Sequence, residues 1–324
     1  MNNILTNIGK FSAAFACVLL LALAATAQLK LREQMDFDND NKADYSVVRP
    51  SNNTWYINKS NGGVIFQQFG LSNVDFPSPG DYDGDSKADI GVWRDSDGIW
   101  YYLKSSDNTV FAQGWGITGD EPVARDYDND GKTDLAVVRR TGNAMIWYIY
   151  QSSNNAFIAK QFGFNTDYAA PGDYDGDGKS DVAIQRPGAT PASQSTFYIE
   201  RSGNGALDVI PWGLGGDLVV PGDYDGDNKT DIAILREGTT PNSNLTWWIR
   251  RSTDGSAFAF PYGITGDDLN AQNDYDGDGK CDPAVWRNST GTFYVLSSAG
   301  NYTGSIVTPW GVPSDIPVAG FDTH

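Results

Sequence analysis

Six short runs of aspartate recur along the chain at nearly equal spacing. Each run spans nine residues with Asp at positions one, three, five and nine, and successive runs begin 45, 45, 47, 50 and 51 residues apart. The runs are residues 36–44, 81–89, 126–134, 173–181, 223–231 and 274–282. A period of this length is typical of repeat architectures, in which each unit buries its apolar surface against its neighbours. The repeat therefore determines the domain count more directly than the length of 324 residues does.

Three further features recur once in each repeat, after the acidic run. An arginine stands five residues after the last aspartate of each run: Arg49, Arg94, Arg139, Arg186, Arg236 and Arg287. An aromatic pair follows: Trp55-Tyr56, Trp100-Tyr101, Trp147-Tyr148, Phe197-Tyr198, Trp247-Trp248 and Phe293-Tyr294. Each unit ends in an aromatic-glycine step: Phe69-Gly70, Trp115-Gly116, Phe162-Gly163, Trp212-Gly213, Tyr262-Gly263 and Trp310-Gly311.

The segments between these landmarks have the composition of strands and turns. They are short, rich in Val, Ile and aromatic residues, bounded by Gly, Asn, Ser and Asp, and without helical periodicity. In the fifth unit the predicted strands are 218–221, 232–236, 245–250 and 257–262. Four-stranded units of about 40–50 residues are typical of propeller blades. The sequence therefore predicts an all-β, six-bladed β-propeller with four-stranded blades and an acidic loop in each blade.

The acidic loops have the chemistry of calcium sites. Calcium takes six to eight oxygen ligands, and four carboxylates plus the backbone carbonyl at position seven supply most of that shell. The predicted ligands of the first three loops are Asp36, Asp38, Asp40, Lys42 and Asp44; Asp81, Asp83, Asp85, Lys87 and Asp89; and Asp126, Asp128, Asp130, Lys132 and Asp134. Those of the last three are Asp173, Asp175, Asp177, Lys179 and Asp181; Asp223, Asp225, Asp227, Lys229 and Asp231; and Asp274, Asp276, Asp278, Lys280 and Asp282. Up to six Ca²⁺ ions are expected.

Position six of the loop needs a tight bend with positive φ, which Gly adopts freely and Asn tolerates. Ser86 occupies it in the second loop, so we expect a weaker site there. Solvated turns without an ion are the alternative interpretation for a single acidic run. Magnesium prefers near-octahedral geometry and retained water, and zinc prefers Cys and His, so both are less suited to these loops.

The unit Gly-Asp-Tyr-Asp-Gly-Asp-x-Lys-x-Asp, followed by an apolar strand and later by Phe-Gly or Trp-Gly, resembles the FG-GAP/VCBS repeat family. The resemblance covers almost all of the chain after residue 27. It implies a calcium-bearing propeller of the kind found in integrin α-chain heads, some fungal lectins and many bacterial secreted or surface proteins, and hence adhesion or recognition. The units here are shorter than in integrins and all carry an acidic loop, so neither seven blades nor integrin-type partners follow.

The repeated aromatic residues and arginines allow two interpretations. Because adjacent strand residues point to opposite faces, each aromatic pair is expected to pack against neighbouring blades, and a sugar-stacking platform is the alternative. The arginines are expected to pair with aspartates such as Asp120, Asp167, Asp217, Asp267 and Asp315. The alternative is that Arg49, Arg94, Arg139, Arg186, Arg236 and Arg287, with the aromatic residues, form a ring of ligand pockets as in lectins.

Composition excludes some functions. The net charge of −18 comes almost entirely from Asp, since Glu occurs only four times, and a chain of pI near 4.2 is a poor partner for nucleic acid. The only His is His324, and Cys281 lies inside an acidic loop, so we expect no enzyme. The alternative is a catalytic site formed by Asp95, Asp97 or Glu121, because propeller enzymes exist.

The two ends of the chain give the remaining expectations. Residues 1–27 have the pattern of a cleaved secretory signal, and an uncleaved membrane anchor is the alternative, although its apolar run is at the short limit for a span. Cleavage leaves a propeller of residues 28–324 that is secreted, at the cell surface or in the periplasm, with no later membrane span. Its partner is expected to be an extracellular protein or glycan. Residues 315–322 repeat the strand that precedes an acidic loop, so we predict that 316–321 pair with residues 45–49 and close the ring.

Overall fold

A computed structural model describes residues 34–72 and 74–318, in which strands pair as six antiparallel, four-stranded sheets. The first three blades contain β1 (Tyr45–Arg49), β2 (Thr54–Asn58) and β3 (Val64–Gln68); β4 (Asp75–Pro77), β5 (Ile90–Arg94), β6 (Ile99–Leu103) and β7 (Val110–Gly114); and β8 (Glu121–Pro122), β9 (Leu135–Thr141), β10 (Ala144–Tyr150) and β11 (Phe157–Phe164). The last three contain β12 (Tyr168–Ala169), β13 (Val182–Arg186), β14 (Gln194–Glu200) and β15 (Leu207–Leu214); β16 (Leu218–Val219), β17 (Ile232–Arg236), β18 (Asn244–Arg250) and β19 (Ala257–Ile264); and β20 (Asp268–Asn270), β21 (Ala284–Arg287), β22 (Thr292–Ser297) and β23 (Gly304–Pro309). The first blade is completed by β24 (Ile316–Pro317).

This architecture is the six-bladed propeller that the repeat predicts. In the fifth blade, the inner strand ends two residues earlier than predicted, at Val219, and the two outer strands are one or two residues longer. The inner strand is short because the chain begins to turn into the acidic loop, and one isolated bridge, Gly222 to Asp231, continues the pairing at the loop's base.

The first blade is built from both ends of the described chain. β24 pairs with β1, with Ile316 opposite Val48 and Pro317 opposite Val47, and the Val318 N–H donates to the Ser46 carbonyl at 2.9 Å. The pairing agrees with the predicted ring-closing strand for residues 316–318. Residues 319–322 and the predicted signal sequence lie outside the described residues.

The core lies between blades. The first residue of each aromatic pair is at most 1% exposed, and it packs against the second strand of the next blade, as Trp147 does against Ile184 and Phe197 against Ile234. The second residue of each pair is only half-buried, apart from Trp248, which is exposed. The expectation of packing between blades is therefore confirmed for the first aromatic residue. The second residue also packs against these cores in five blades, through Tyr56, Tyr101, Tyr148, Tyr198 and Tyr294, and it has a further neighbour, described below.

The segment before the first acidic loop is hydrogen bonded to the third blade. Gln34 is buried, its Nε2 donates to the Ala124 carbonyl, and its Oε1 accepts from Arg125 Nη1 at 2.6 Å. Within residues 34–72 and 74–318, no helix has the length and apolar character that a membrane span requires.

Candidate metal centres

Each acidic loop directly precedes the second strand of a blade, and all six follow one backbone path. Position six has positive φ in all six loops: Asn41, Ser86, Gly131, Gly178, Asn228 and Gly279. The prediction for position six is confirmed, including the strained serine, whose φ is 67°. Position four is also left-handed in every loop, which the sequence analysis missed: Asn39, Gly84, Asn129, Gly176, Gly226 and Gly277. The recurrence of only Asn and Gly there was the available signal.

The carboxylate at position one fixes this path. In the first loop, Asp36 Oδ1 accepts the N–H of Asn39 at 2.6 Å and Oδ2 accepts that of Asn41 at 2.8 Å. The corresponding bonds to positions four and six occur in all six loops. The loop thus wraps around its own first aspartate.

The carboxylate at position nine forms the floor of the site. Asp44 is fully buried; its Oδ2 accepts the N–H of Phe37 at 2.9 Å and its Oδ1 accepts that of Ser60 at 2.7 Å. Burial raises the pKa of this carboxyl to about 7, because removal from water disfavours the charged form. A buried carboxylate with a raised pKa gains most from a cation that replaces the lost water.

A serine that sequence reasoning missed connects positions five and nine. Ser152 donates its N–H to Asp134 at 2.7 Å and its hydroxyl to Asp130 at 2.8 Å. The same two bonds are made by Ser60, Ser105, Ser202, Ser252 and Ser298. Every one of these serines stands four residues after the second residue of the aromatic pair, which is the signal that could have identified it.

Six clusters of carboxylates in the described residues could hold metal ions such as Ca²⁺. In the first two loops, oxygens of positions one, three and five lie within 4.8 Å of one another; in the next three, those of positions one, three and nine do. All the donors are oxygens, which suits a hard cation. In the fifth loop, Asp225 Oδ1 is shielded from solvent and accepts no hydrogen bond, although Oδ2 accepts from Thr253 Oγ1 at 2.6 Å. A buried carboxylate oxygen without a donor fits a cation ligand.

The remaining predicted ligands are placed in two ways. The position-five carboxylate accepts a serine hydroxyl in all six loops, and in the third, fourth and fifth loops it lies outside the cluster of positions one, three and nine: Asp130, Asp177 and Asp227. Four of the lysine side chains at position seven lie against the glycine at position four of the preceding loop: Lys42 against Gly277, Lys132 against Gly84, Lys229 against Gly176 and Lys280 against Gly226. These four side chains therefore extend away from their own loops.

The six arginines lie at the opposite end of the second strand from the acidic loops. Each pairs with an aspartate and stacks on the second residue of the aromatic pair, as Arg94 does with Asp75 (2.7 Å) and the Tyr101 ring (4.4 Å). The partners of Arg49, Arg139, Arg186, Arg236 and Arg287 are Asp315, Asp120, Asp167, Asp217 and Asp268. The hydrogen bonds to these carboxylates raise the pKa of every arginine.

One predicted partner is wrong. Asp268, and not Asp267, pairs with Arg287, because Asp268 stands directly opposite Arg287 in the strand register. Asp267 is one residue earlier, at a turn, and accepts the N–H and hydroxyl of Ser289.

The aspartate of each pair also fixes the aromatic-glycine step. Asp75 Oδ2 accepts the N–H of Leu71, the residue after Phe69-Gly70, at 2.7 Å. Equivalent bonds reach Ile117, Phe164, Leu214, Ile264 and Val312. The step therefore joins one blade to the next.

The fold and its clusters define a six-bladed β-propeller with an acidic, metal-competent loop in every blade. Its repeats are FG-GAP-like: the family described as "FG-GAP-like repeat" matches residues 36–92 and 126–184, which include four of the six acidic loops. No curated protein matches the chain.

Among solved structures, the chain is similar to TolB from Acinetobacter baumannii, with 16% identity over 98% of this chain and 74% of that one and a TM-score of 0.56. A lectin from Agrocybe aegerita that recognises non-reducing terminal N-acetylglucosamine is 12% identical over 86% of this chain and 91% of that one, with a TM-score of 0.50. A streptogramin B lyase is 8% identical over 85% of each chain, with a TM-score of 0.48. At these identities the likeness concerns the fold alone.

Proposed function

We propose that this chain is a secreted, non-catalytic propeller that calcium stabilises and that serves as a recognition or adhesion module or as a scaffold. In each loop, the carboxylates at positions one, three, five and nine and the carbonyl at position seven would hold one Ca²⁺. Calcium supplies charge neutralisation and rigidity there, whereas the protein's own hydrogen bonds hold the carboxylates in place. The buried, donor-free oxygen of Asp225 supports this assignment.

The two ends of the blades differ in chemistry, and this difference is the observation on which recognition rests. Each second strand runs from the acidic loop to the arginine, so the arginine, the turn after it and the aromatic-glycine step lie at the face opposite the acidic clusters. Six positions on that face, one after each aromatic-glycine step, are all apolar: Leu71, Ile117, Phe164, Leu214, Ile264 and Val312.

A second apolar set lies at the start of the first strands, on the same face. The residue after each arginine-paired aspartate is apolar in five blades: Phe76, Tyr168, Leu218, Leu269 and Ile316. Ile117 and Phe164 are 52% and 51% exposed, and Phe76 and Leu269 are 48% exposed. Exposed apolar groups of this kind mark interaction surfaces, so we propose that this face contacts an extracellular protein.

The contacts of the arginines favour their structural interpretation over a glycan site. All six guanidinium groups are occupied by an aspartate and an aromatic ring, so a sugar would have to displace one of them. Non-catalytic function is supported by Cys281, which is buried and has a thiol pKa raised well above its usual value, and which is therefore a poor nucleophile.

Calcium binding is tested by titration calorimetry on the full chain, with up to six bound ions expected. Recognition is tested by capture from an extracellular fraction in millimolar calcium, comparing Phe164→Glu with Val209→Glu. Val209 is equally exposed, at 51%, but lies on the outer strand β15. A partner that Phe164→Glu releases and Val209→Glu retains supports the proposal. Binding on a glycan array that Arg94→Ala abolishes would instead favour a lectin.

A further inference from the structure

Each acidic loop is hydrogen bonded to the loop of the preceding blade. The backbone N–H at position eight donates to the carbonyl oxygen at position one of that loop, at 2.5–2.8 Å. The six bonds run from Ala43 to Asp274, Ala88 to Asp36, Thr133 to Asp81, Ser180 to Asp126, Thr230 to Asp173, and Cys281 to Asp223. Because the first loop donates to the sixth, the bonds form a complete circle in which every loop donates once and accepts once.

Side chains make the same junctions tight. A Cβ atom on Gly80 would lie 2.5 Å from Thr133 Oγ1, and one on Gly84 would lie 2.7 Å from a carbon of Lys132. Equivalent overlaps occur at Gly172 with Thr230 and Gly222 with Cys281. Real Cβ atoms do not approach so closely, so the chain is in direct van der Waals contact with the neighbouring loop at these glycines.

Both the donor and the acceptor of each inter-loop hydrogen bond belong to a proposed cation site, the donor to that of its own loop and the acceptor to that of the preceding loop. Its donor, position eight, stands between the carbonyl of position seven and the carboxylate of position nine, and the carbonyl belongs to the same peptide group as the donating N–H. A cation that fixes this carbonyl also fixes the plane of the peptide and polarises its N–H. The acceptor, position one, belongs to the aspartate around which the preceding loop wraps.

We propose that calcium binding in one loop strengthens calcium binding in the adjacent loops, so that the six sites fill cooperatively around the ring. This inference rests on the proposed calcium binding. A cation in one loop orders the peptide between positions seven and eight, which is hydrogen bonded to the neighbouring loop. The neighbouring loop is then already partly ordered, so it loses less conformational entropy when it binds its own cation. Couplings between sites typically change affinity about 5–150-fold.

The experiment is a calcium titration of the full chain and of Asp278→Asn, which removes one ligand charge from loop six but keeps an acceptor oxygen for the Lys280 N–H and Ser298 hydroxyl. We expect a Hill coefficient above 1 for the unchanged chain. We expect the variant to weaken the remaining sites by about fivefold or more. Thr133→Ala is the control: it keeps the backbone donor, and alanine already occupies this position in the first two loops.

Hydrogen exchange identifies the route of the coupling. In calcium, Asp278→Asn should accelerate exchange of the Ala43 amide, which donates to loop six, and leave that of Thr133, which donates to loop two, nearly unchanged. Asp130→Asn, read out at the Ser180 amide, replaces this test if Asp278→Asn does not fold. Six sites with one affinity, unaffected by the variant, would overturn the coupling while leaving calcium binding intact. An unchanged chain that binds no calcium would overturn the proposed function itself.

Discussion

Arg49 and Asp315 form a bidentate ion pair although 266 residues separate them in sequence. Arg49 Nε and Nη2 donate to Oδ1 and Oδ2 of Asp315 at 2.8 and 2.9 Å, and the aspartate side chain is only 1% exposed. Arg94 and Asp75 make the same pair inside one continuous repeat. The ring is therefore closed by the contact that also builds each of the other blades.

Asp315→Ala should consequently do more than Asp120→Ala, which removes the same carboxylate from the third blade. Each change leaves an arginine without its charge-assisted partner, at a cost of about 1.5–3 kcal/mol in the free energy of unfolding. Only Asp315→Ala should release β24 from β1 and expose the first blade to protease. Limited proteolysis with mass spectrometry measures this, and equal cleavage patterns in the two variants would contradict it.

Removal of calcium should lower the melting temperature by many degrees. Extracellular calcium sites bind at about 10⁻⁴–10⁻³ M, and tenfold saturation contributes about 1.4 kcal/mol per site. Several such sites amount to a large part of the roughly 5–15 kcal/mol by which a domain is usually stable. Thermal melts in excess chelator and in millimolar calcium give the comparison, with magnesium as the control ion. Superimposable curves would exclude a stabilising role.

Ser86→Gly should tighten calcium binding in the second loop and stabilise the protein by about 1 kcal/mol, because the left-handed region costs an L-residue roughly 1–2 kcal/mol and costs glycine nothing. Gly131→Ser is the reverse change at position six of the third loop, where a Cβ would meet no atom within 4 Å. It should destabilise by a similar amount through backbone strain alone. Chemical denaturation measures both, and changes of the same sign would contradict the assignment.

Ser152→Ala should weaken calcium binding at the third loop about tenfold, the lower end of what loss of a ligand-orienting hydrogen bond costs a metal site. The reason is that Asp130 loses the hydroxyl that orients it. Ser51→Ala, on an exposed turn at the opposite face, is the control. Calorimetry should show one weakened site in the first variant and none in the second.

The calcium-free protein should become less stable as pH rises. Burial raises the pKa of the carboxyls at position nine to about 7 for Asp44, Asp89, Asp134, Asp231 and Asp282 and to about 6 for Asp181. Between the unfolded value of 3.8 and these values the folded state holds more protons, so stability is lost as pH rises through them. The chelated protein should melt several degrees higher at about pH 5.5 than at about pH 8. Saturating calcium should remove the difference, and a higher melting temperature at pH 8 in chelator would contradict the explanation.

The sequence predicts the fold well because the same landmarks recur six times. A single Trp55-Tyr56 pair has many interpretations, but six pairs at a fixed distance from six acidic runs indicate blades, and they locate the first aromatic residue in the core. The predicted role of position six also follows from residue type, since Gly and Asn are the residues that adopt positive φ most readily.

Other features of the structure depend on contacts between residues that are far apart in sequence or on the exact strand register, and a local sequence pattern does not show these. The bond from Ala43 to Asp274 exists only because the ring brings the first and sixth loops together. The choice of Asp268 over Asp267 depends on a one-residue register, which reverses the face to which a side chain points. Ser152 and its equivalents were visible in the sequence, but serine is common in turns and its constancy has meaning only beside the loop that it contacts.

The pairing of β24 with β1 determines how cooperatively the protein unfolds. In an open array of repeats, the terminal units have one neighbour each, so they fray first and unfolding advances inwards. Here every blade has two neighbours, and no blade can melt without breaking two core interfaces. Partially unfolded states should therefore be poorly populated. Unfolding of any one blade should cause the other five to unfold in the same cooperative transition.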